Sequence, residues 1–115
     1  MNDNSFDVQL LRDHVSKVTL GTKLDNSNAP SMLKLITEAQ AQGIQFIILD
    51  CQHIELMSSA GVGSILGSVE GLRQVNGDII LCNLSAQAHR VLQVLDLLDY
   101  LTVTPSQEEA EALCG

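Results

Sequence analysis

Apolar residues along this chain form short runs that alternate with longer segments of helical periodicity. Five runs are typical of β-strands: residues 6–11, 15–20, 46–49, 79–82 and 101–103. Only three polar residues separate the first two runs, so we expect a hairpin there. The runs at 46–49 and 79–82 are continuously apolar, which is typical of strands that are covered on both faces.

Four segments have the periodicity of helices: residues 29–43, about 58–75, 85–98 and a short segment after 106. Ser85 is expected to cap the third helix, and its apolar stripe continues through Leu95 to Leu98. Ser106 and Glu109 have the spacing of a capping box, which predicts the start of the fourth helix.

Strands that alternate with helices imply crossover connections and a mostly parallel sheet. The initial hairpin adds an antiparallel pair and makes the sheet mixed. The sequence therefore predicts one α/β domain over residues 1–115, with four or five strands and helices packed against them. A chain of 115 residues, 45% of them apolar, can bury a core without metal or disulfide support.

Composition narrows the classes of partner. The net charge of −8 repels phosphate backbones, and 3% aromatic residues leave few stacking surfaces, so nucleic-acid binding is not expected. Three cysteines without a CxxC pair suit a reducing cytoplasm. Residues 1–5 lack the features of a signal peptide, and no apolar run could span a bilayer, so we predict a cytoplasmic protein without membrane insertion.

Glycines are unusually frequent in the second helix. Gly63, Gly67 and Gly71 recur at steps of four and share one face, and Gly61 lies at the helix start. Each interior glycine costs about 1 kcal/mol relative to alanine, so a close contact is expected to offset it. The contact is either packing of the helix on its own sheet or the approach of a partner protein to a bare helix face.

Two serines, Ser58 and Ser59, stand where this helix should be capped. A serine cap contributes about 1 kcal/mol relative to alanine, which is a sufficient structural reason for one of them. A helix N-terminus also stabilises negative charge, because its backbone N–H groups are free and its dipole end is positive. A hydroxyl at this position is therefore also a candidate phosphorylation site that would alter a binding surface without unfolding the domain.

Residues 50–67, DCQHIELMSSAGVGSILG, resemble the central motif of STAS domains, and in particular that of bacterial anti-sigma-factor antagonists. Other matching stretches occur in the same order: GTKLD at 21–25 with Ala29-Pro30 after it, NLS at 83–85, VLQVL at 91–95 and EEA at 108–110. The resemblance covers nearly the whole chain and implies a small STAS-type α/β fold.

The resemblance further implies a partner-switching protein. A serine kinase of the histidine-kinase-like ATPase type, which is also the anti-sigma factor, would bind the unphosphorylated form and phosphorylate it, and a serine phosphatase would reverse this. Alignment of the motif places the phosphorylated serine at Ser59, with Ser58 as the second choice. The implied partner-binding residues are Ser58, Ser59, Ala60, Gly61, Gly63, Gly67 and Asp25.

Two positions depart from the family motif: Ser58 replaces the usual Asp, and Ala60 replaces the usual Ser or Thr. Alanine at the latter position also occurs in STAS subunits of transport and scaffold complexes that act without phosphorylation, which is the alternative function. Asp25 has a purely structural alternative as a turn-forming residue.

No constellation of an enzyme or of a cofactor site stands out. The chain lacks a Walker-A lysine motif and a Gly-x-Ser-x-Gly elbow, so any ATP would belong to a partner. Cys51 and His53 lack a second pair of metal ligands, and we expect a buried thiol and a surface imidazole instead. We therefore predict a regulatory protein without catalytic activity, cofactor or metal.

Overall fold

The computed structural model describes residues 6–114. Residues 1–5, to which the signal-peptide prediction refers, and residue 115 lie outside them. The strands are β1 Asp7–Arg12, β2 Val15–Thr19, β3 Lys23–Leu24, β4 Phe46–Asp50, β5 Leu56–Met57, β6 Asp78–Cys82 and β7 Thr102–Thr104. The helices are α1 Ala29–Ala41, α2 Ser59–Arg73, α3 Ala86–Val94 and α4 Gln107–Ala112.

Five strands form a mixed sheet in the order β1-β2-β4-β6-β7. β1 and β2 pair antiparallel through a tight turn in which His14 adopts a positive φ of 71°. The pairs β2–β4, β4–β6 and β6–β7 are parallel. The predicted hairpin and the predicted mixed sheet of four or five strands are therefore confirmed, and the sheet has five strands.

The central strand β4 and its neighbour β6 are buried on both faces. Ile47 and Leu49 of β4 belong to a core that includes residues of α1, α2 and α3. The alternate residue Ile48 belongs to a second, smaller core that includes Ala110 of α4. This arrangement confirms the prediction that the continuous apolar runs are strands covered on both sides.

A second small sheet was not predicted. β3 and β5 lie outside the five strands that the sequence predicted, yet they pair in parallel over two residues each. Leu24 of β3 and Met57 of β5 are both buried, so tertiary packing fixes the pair. Because a two-residue strand has no periodicity, the sequence pattern could not reveal it.

The serine caps occur where they were predicted. Ser85 Oγ accepts a hydrogen bond from the backbone N–H of Ala88 at 3.0 Å, and Ser106 Oγ accepts one from that of Glu109 at 3.2 Å. The longest helix within residues 6–114 is α2, with 15 residues. None of the helices in this described part of the chain has the length and hydropathy required to cross a membrane.

The predicted extent of α3 is wrong at its C-terminal end. The helix ends at Val94, so Leu95 and Leu98 are not part of a continuous buried stripe, and Leu95 is 46% exposed. Asp96 adopts a left-handed φ of 61°, and the N–H of Leu97 donates to the carbonyl of Leu92 at 2.9 Å. This is a Schellman-type termination, which stops the helix although no glycine is present.

Candidate functional site

The start of α2 assigns different roles to the two serines. Ser58 has extended backbone angles and is the N-cap, and its Oγ accepts a hydrogen bond from the N–H of Gly61 at 3.2 Å. Ser59 is the first helical residue, and it is exposed. The cap therefore uses the Ser58 hydroxyl and leaves that of Ser59 accessible to another molecule.

The electrostatic environment of Ser59 favours an added negative charge. The first-turn N–H groups of a helix have no carbonyl acceptor within the helix, and the dipole places a partial positive charge there. The first turn of α2 contains no acidic residue that would offset this charge. A phosphate on Ser59 would meet this favourable potential.

Close backbone contact with β3 fixes the position of this turn. The N–H of Ser58 donates to the Leu24 carbonyl at 3.0 Å. Gly61 lies against the same carbonyl, and a Cβ atom at Gly61 would overlap the carbonyl oxygen of Leu24. Glycine at position 61 is therefore a steric requirement for seating α2 on β3.

The glycines of the predicted face differ in what surrounds them. Gly63 is exposed, and an added Cβ would meet no atom within 4 Å. At Gly67 an added Cβ would lie 3.6 Å from Leu33 Cδ2 of α1, and at Gly71 it would lie 3.3 Å from Gln40 Oε1. Gly67 and Gly71, towards the C-terminus of α2, thus pack against α1 and not against the sheet. Gly63, near Ser59, remains bare.

Asp25 lies directly after the strand residue that binds Ser58, at the same end of the domain. Its Oδ1 accepts hydrogen bonds from the hydroxyl of Ser27 at 2.6 Å and from the backbone N–H of Ser27 at 2.9 Å. The Ser27 hydroxyl is the main reason that the pKa of Asp25 is lowered. The carboxylate therefore stabilises the loop before α1, as a turn-forming residue does.

Asp50 is a buried carboxylate that joins the two loops at this end of the sheet. The sequence pattern did not indicate this role. Asp50 is 1% exposed, and its oxygens accept hydrogen bonds from the backbone and side chain of Gln52 at 3.1 and 3.0 Å. Asp50 Oδ2 also accepts from Asn83 Nδ2 at 3.3 Å and lies 3.6 Å from Lys17 Nζ. Asp50 thereby connects the segment leading to Ser58 with the segment leading to α3. Its place at the end of a buried strand is the signal that could have identified it.

A groove of about 290 Å³ lies between the start of α2 and α3. Its lining residues are Ser59, Gln87, Arg90, Val91, Val94 and Leu95. The apolar stripe predicted for the third helix includes Leu95 and does not indicate a groove. Val94, the last residue of α3, and Leu95, which follows it, are both exposed beside the groove.

Cys51 and His53 have the environments that the sequence predicted. Cys51 is buried, and burial raises the pKa of its thiol, whereas the His53 side chain is exposed. Within residues 6–114, no group of three His, Cys, Asp or Glu side chains is arranged to hold a metal ion.

Comparisons with known proteins agree with this architecture. A family model described as STAS domain matches residues 10–110. The chain is 28% identical over 89 residues to BtrV of Bordetella bronchiseptica, proposed to be an anti-sigma factor antagonist, with 77% of each chain covered. It is 23% identical over 97 residues to the anti-sigma-B factor antagonist of Staphylococcus aureus, covering 84% of this chain and 90% of that protein.

Among solved structures, the chain is similar to the anti-sigma factor antagonist SpoIIAA in its unphosphorylated form. The TM-score is 0.81, the identity is 27%, and 93% of each chain is covered. The phosphorylated form of SpoIIAA from Bacillus matches with a TM-score of 0.74 over 94% of this chain and 97% of that chain, also at 27% identity.

Proposed function

The chain belongs to the STAS domain family, and we propose that it is an anti-sigma factor antagonist of a partner-switching system. In this proposal the domain binds an anti-sigma factor while Ser59 is unmodified and releases it when Ser59 is phosphorylated. The relatives named above are anti-sigma factor antagonists, which supports the general role.

The observation that supports the proposal is that Ser58 and Ser59 have different roles at the start of α2. The Ser58 hydroxyl is engaged in the cap, whereas Ser59 is exposed on the first turn of a helix whose start has no acidic residue. A phosphate there adds about −1.5 to −2 charges at pH 7 without removing the capping hydrogen bond. The modification would therefore change the binding surface and leave the fold intact.

The proposed partner is an anti-sigma factor that is also a serine kinase of the histidine-kinase-like ATPase type. The γ-phosphoryl group of ATP would pass to Ser59 Oγ, which loses its proton, and ADP would leave. A serine phosphatase would return the hydroxyl by hydrolysis and release inorganic phosphate. The chain itself would supply no catalytic group, and the exchange would take place in the cytoplasm.

The acceptor can be tested with two serine variants that differ by one position. The wild-type protein, Ser59→Ala and Ser58→Ala are incubated with ATP and the cognate kinase, and phosphosites are mapped by mass spectrometry. Ser59→Ala should abolish labelling and leave stability nearly unchanged. Ser58→Ala should retain labelling but lose about 1 kcal/mol of unfolding free energy, because the cap is lost. Unchanged labelling of Ser59→Ala would refute the assignment.

The alternative function is that of a non-phosphorylated STAS subunit in a transport or scaffold complex. Ala60 favours it, because the family motif usually has a hydroxyl residue at this position. Co-purification of a transporter ATPase without a kinase, together with binding that is insensitive to Ser59→Asp, would favour this alternative. Recovery of the kinase and loss of binding in Ser59→Asp would exclude it.

A further inference from the structure

We propose that the groove between α2 and α3 receives an apolar segment of the anti-sigma factor that carries a carboxylate, and that Arg90 pairs with this carboxylate. The inference rests on the proposed function and adds to it the chemistry of the contact. Five of its six lining residues lie on α3 or directly after it, outside the motif at 50–67 that indicated the family; the sixth is Ser59.

The charge of the groove differs from that of the molecule. The chain has 14 acidic and 6 basic residues, yet among residues 6–114 the only charged side chain that lines the groove is the cation Arg90. α3, whose sequence is AQAHRVLQV, contains no acidic residue. The ion pairs within residues 6–114 are Lys17–Asp50 and Arg73–Asp78, so Arg90 has no internal counter-ion in this part of the chain. An acidic group on the partner would complement it.

The apolar part of the groove is unusually accessible. Val94 is 74% exposed and the adjacent Leu95 is 46% exposed, while Val91 is partly buried between them and the core. An apolar side chain placed here would remove this surface from water, which contributes about 25 cal/mol for each Å² buried. Arginine is enriched among the residues that dominate the binding energy of protein interfaces, and the fully buried core of an interface is more apolar than the surrounding surface.

Ser59 lines the same groove, which couples the contact to phosphorylation. A phosphate on Ser59 would place about −1.5 to −2 charges in the space that the partner's carboxylate enters. The phosphate would compete for Arg90 and repel the carboxylate. Recognition by Arg90 therefore provides a physical reason for release of the anti-sigma factor on phosphorylation.

Isothermal titration calorimetry of the unphosphorylated full chain with its cognate anti-sigma factor tests the inference. Arg90→Glu and Val94→Asp should each weaken binding about tenfold or more, and the effect of Arg90→Glu should diminish at high salt. Lys34→Glu on α1 makes the same charge change outside the groove, and Leu113→Asp, at the end of α4, alters an exposed apolar residue on the other face of the sheet. Both controls should stay within about twofold of wild type.

A charge exchange identifies the partner group. Carboxylates on the surface of the anti-sigma factor are changed to lysine one at a time, and one change should restore binding to Arg90→Glu while it weakens binding to the wild type. Thermal melts should show that all variants remain folded, because the substituted side chains are exposed.

The outcomes separate the two proposals. Absence of binding by the wild type would overturn the proposed function and the groove assignment with it. Binding by the wild type that is equally strong in Arg90→Glu and Val94→Asp would overturn the groove assignment alone. Loss of self-association in Val94→Asp, seen by analytical ultracentrifugation while binding to the anti-sigma factor is unchanged, would assign the groove to a second copy of the chain and also overturn it.

Discussion

Two glycine-to-alanine substitutions in α2, two residues apart, should have opposite effects on stability. A methyl group at Gly63 would point into open space, because no atom outside the helix lies within 4 Å of it. A methyl group at Gly61 would overlap the backbone carbonyl of Leu24, which cannot rotate away as a side chain would. The chemical change is the same in both variants, so the difference between them reports the packing alone.

The expected magnitudes follow from these contacts. Gly63→Ala should gain about 1 kcal/mol of unfolding free energy through helix propensity, which corresponds to a rise in Tm of about 4 °C for a domain of this size. Gly61→Ala has a similar propensity gain, but overpacking against a rigid neighbour costs about 1–3 kcal/mol or more. We expect a net loss for Gly61→Ala and a gap of roughly 2 kcal/mol between the variants.

Urea denaturation followed by circular dichroism measures both values, and titration with the anti-sigma factor measures function. Gly63→Ala should bind the anti-sigma factor more weakly although it is more stable, because the methyl group lies on the bare face beside Ser59. Stabilisation by Gly61→Ala, or destabilisation by Gly63→Ala of more than 1 kcal/mol, would refute the packing argument. Unchanged binding by Gly63→Ala would remove Gly63 from the docking surface.

Three further predictions concern the frame that supports the site. Asp50→Ala should lower the unfolding free energy by about 3 kcal/mol, because Lys17 would lose a buried counter-ion. Urea titrations measure this value, and a loss below about 1 kcal/mol would contradict the role of Asp50. Asp96→Gly should raise the unfolding free energy by about 1 kcal/mol in thermal melts, because φ is 61° at this position; an unchanged or lowered Tm would argue against strain. Burial raises the pKa of Cys82 to about 11, so between pH 9 and 11 only the unfolded state loses this proton and stability should fall as the pH rises. Cys82→Ala should flatten that fall, and an identical pH profile would show that another group causes it.

Much of the fold that supports the site could be predicted, because each element is indicated by residues within that element. The strand at 46–49 is a continuous apolar run, and Ser85 precedes a segment with clear helical periodicity. Such patterns depend on the burial of one element and on hydrogen bonds within one turn, so the sequence contains the information directly. The mixed sheet then followed from the order of the elements and from the short turn of the hairpin.

The parts that could not be predicted depend on contacts between distant segments. The pairing of Lys23 with Leu56 and of Leu24 with Met57 joins residues about thirty positions apart, and two-residue strands leave no pattern. The end of α3 depends on an aspartate, Asp96, in a conformation that usually favours glycine. The groove beside Ser59 likewise depends on how α2 and α3 lie against each other, which no pattern within either helix indicates.

The substitution of Ser58 for the usual Asp of the family motif affects charge far more than structure. Serine and aspartate are nearly equal as N-caps, and Ser58 makes the capping hydrogen bond to Gly61. A carboxylate at the cap would repel a phosphate on the next residue and would already offset the positive end of the helix. With a neutral cap, the phosphate on Ser59 would be the first negative charge to enter the first turn. On phosphorylation the potential at the first turn should therefore change from positive to negative in this chain, whereas a relative capped by aspartate has the positive helix end partly offset before phosphorylation. Arg90 is the charged side chain that lines the same groove.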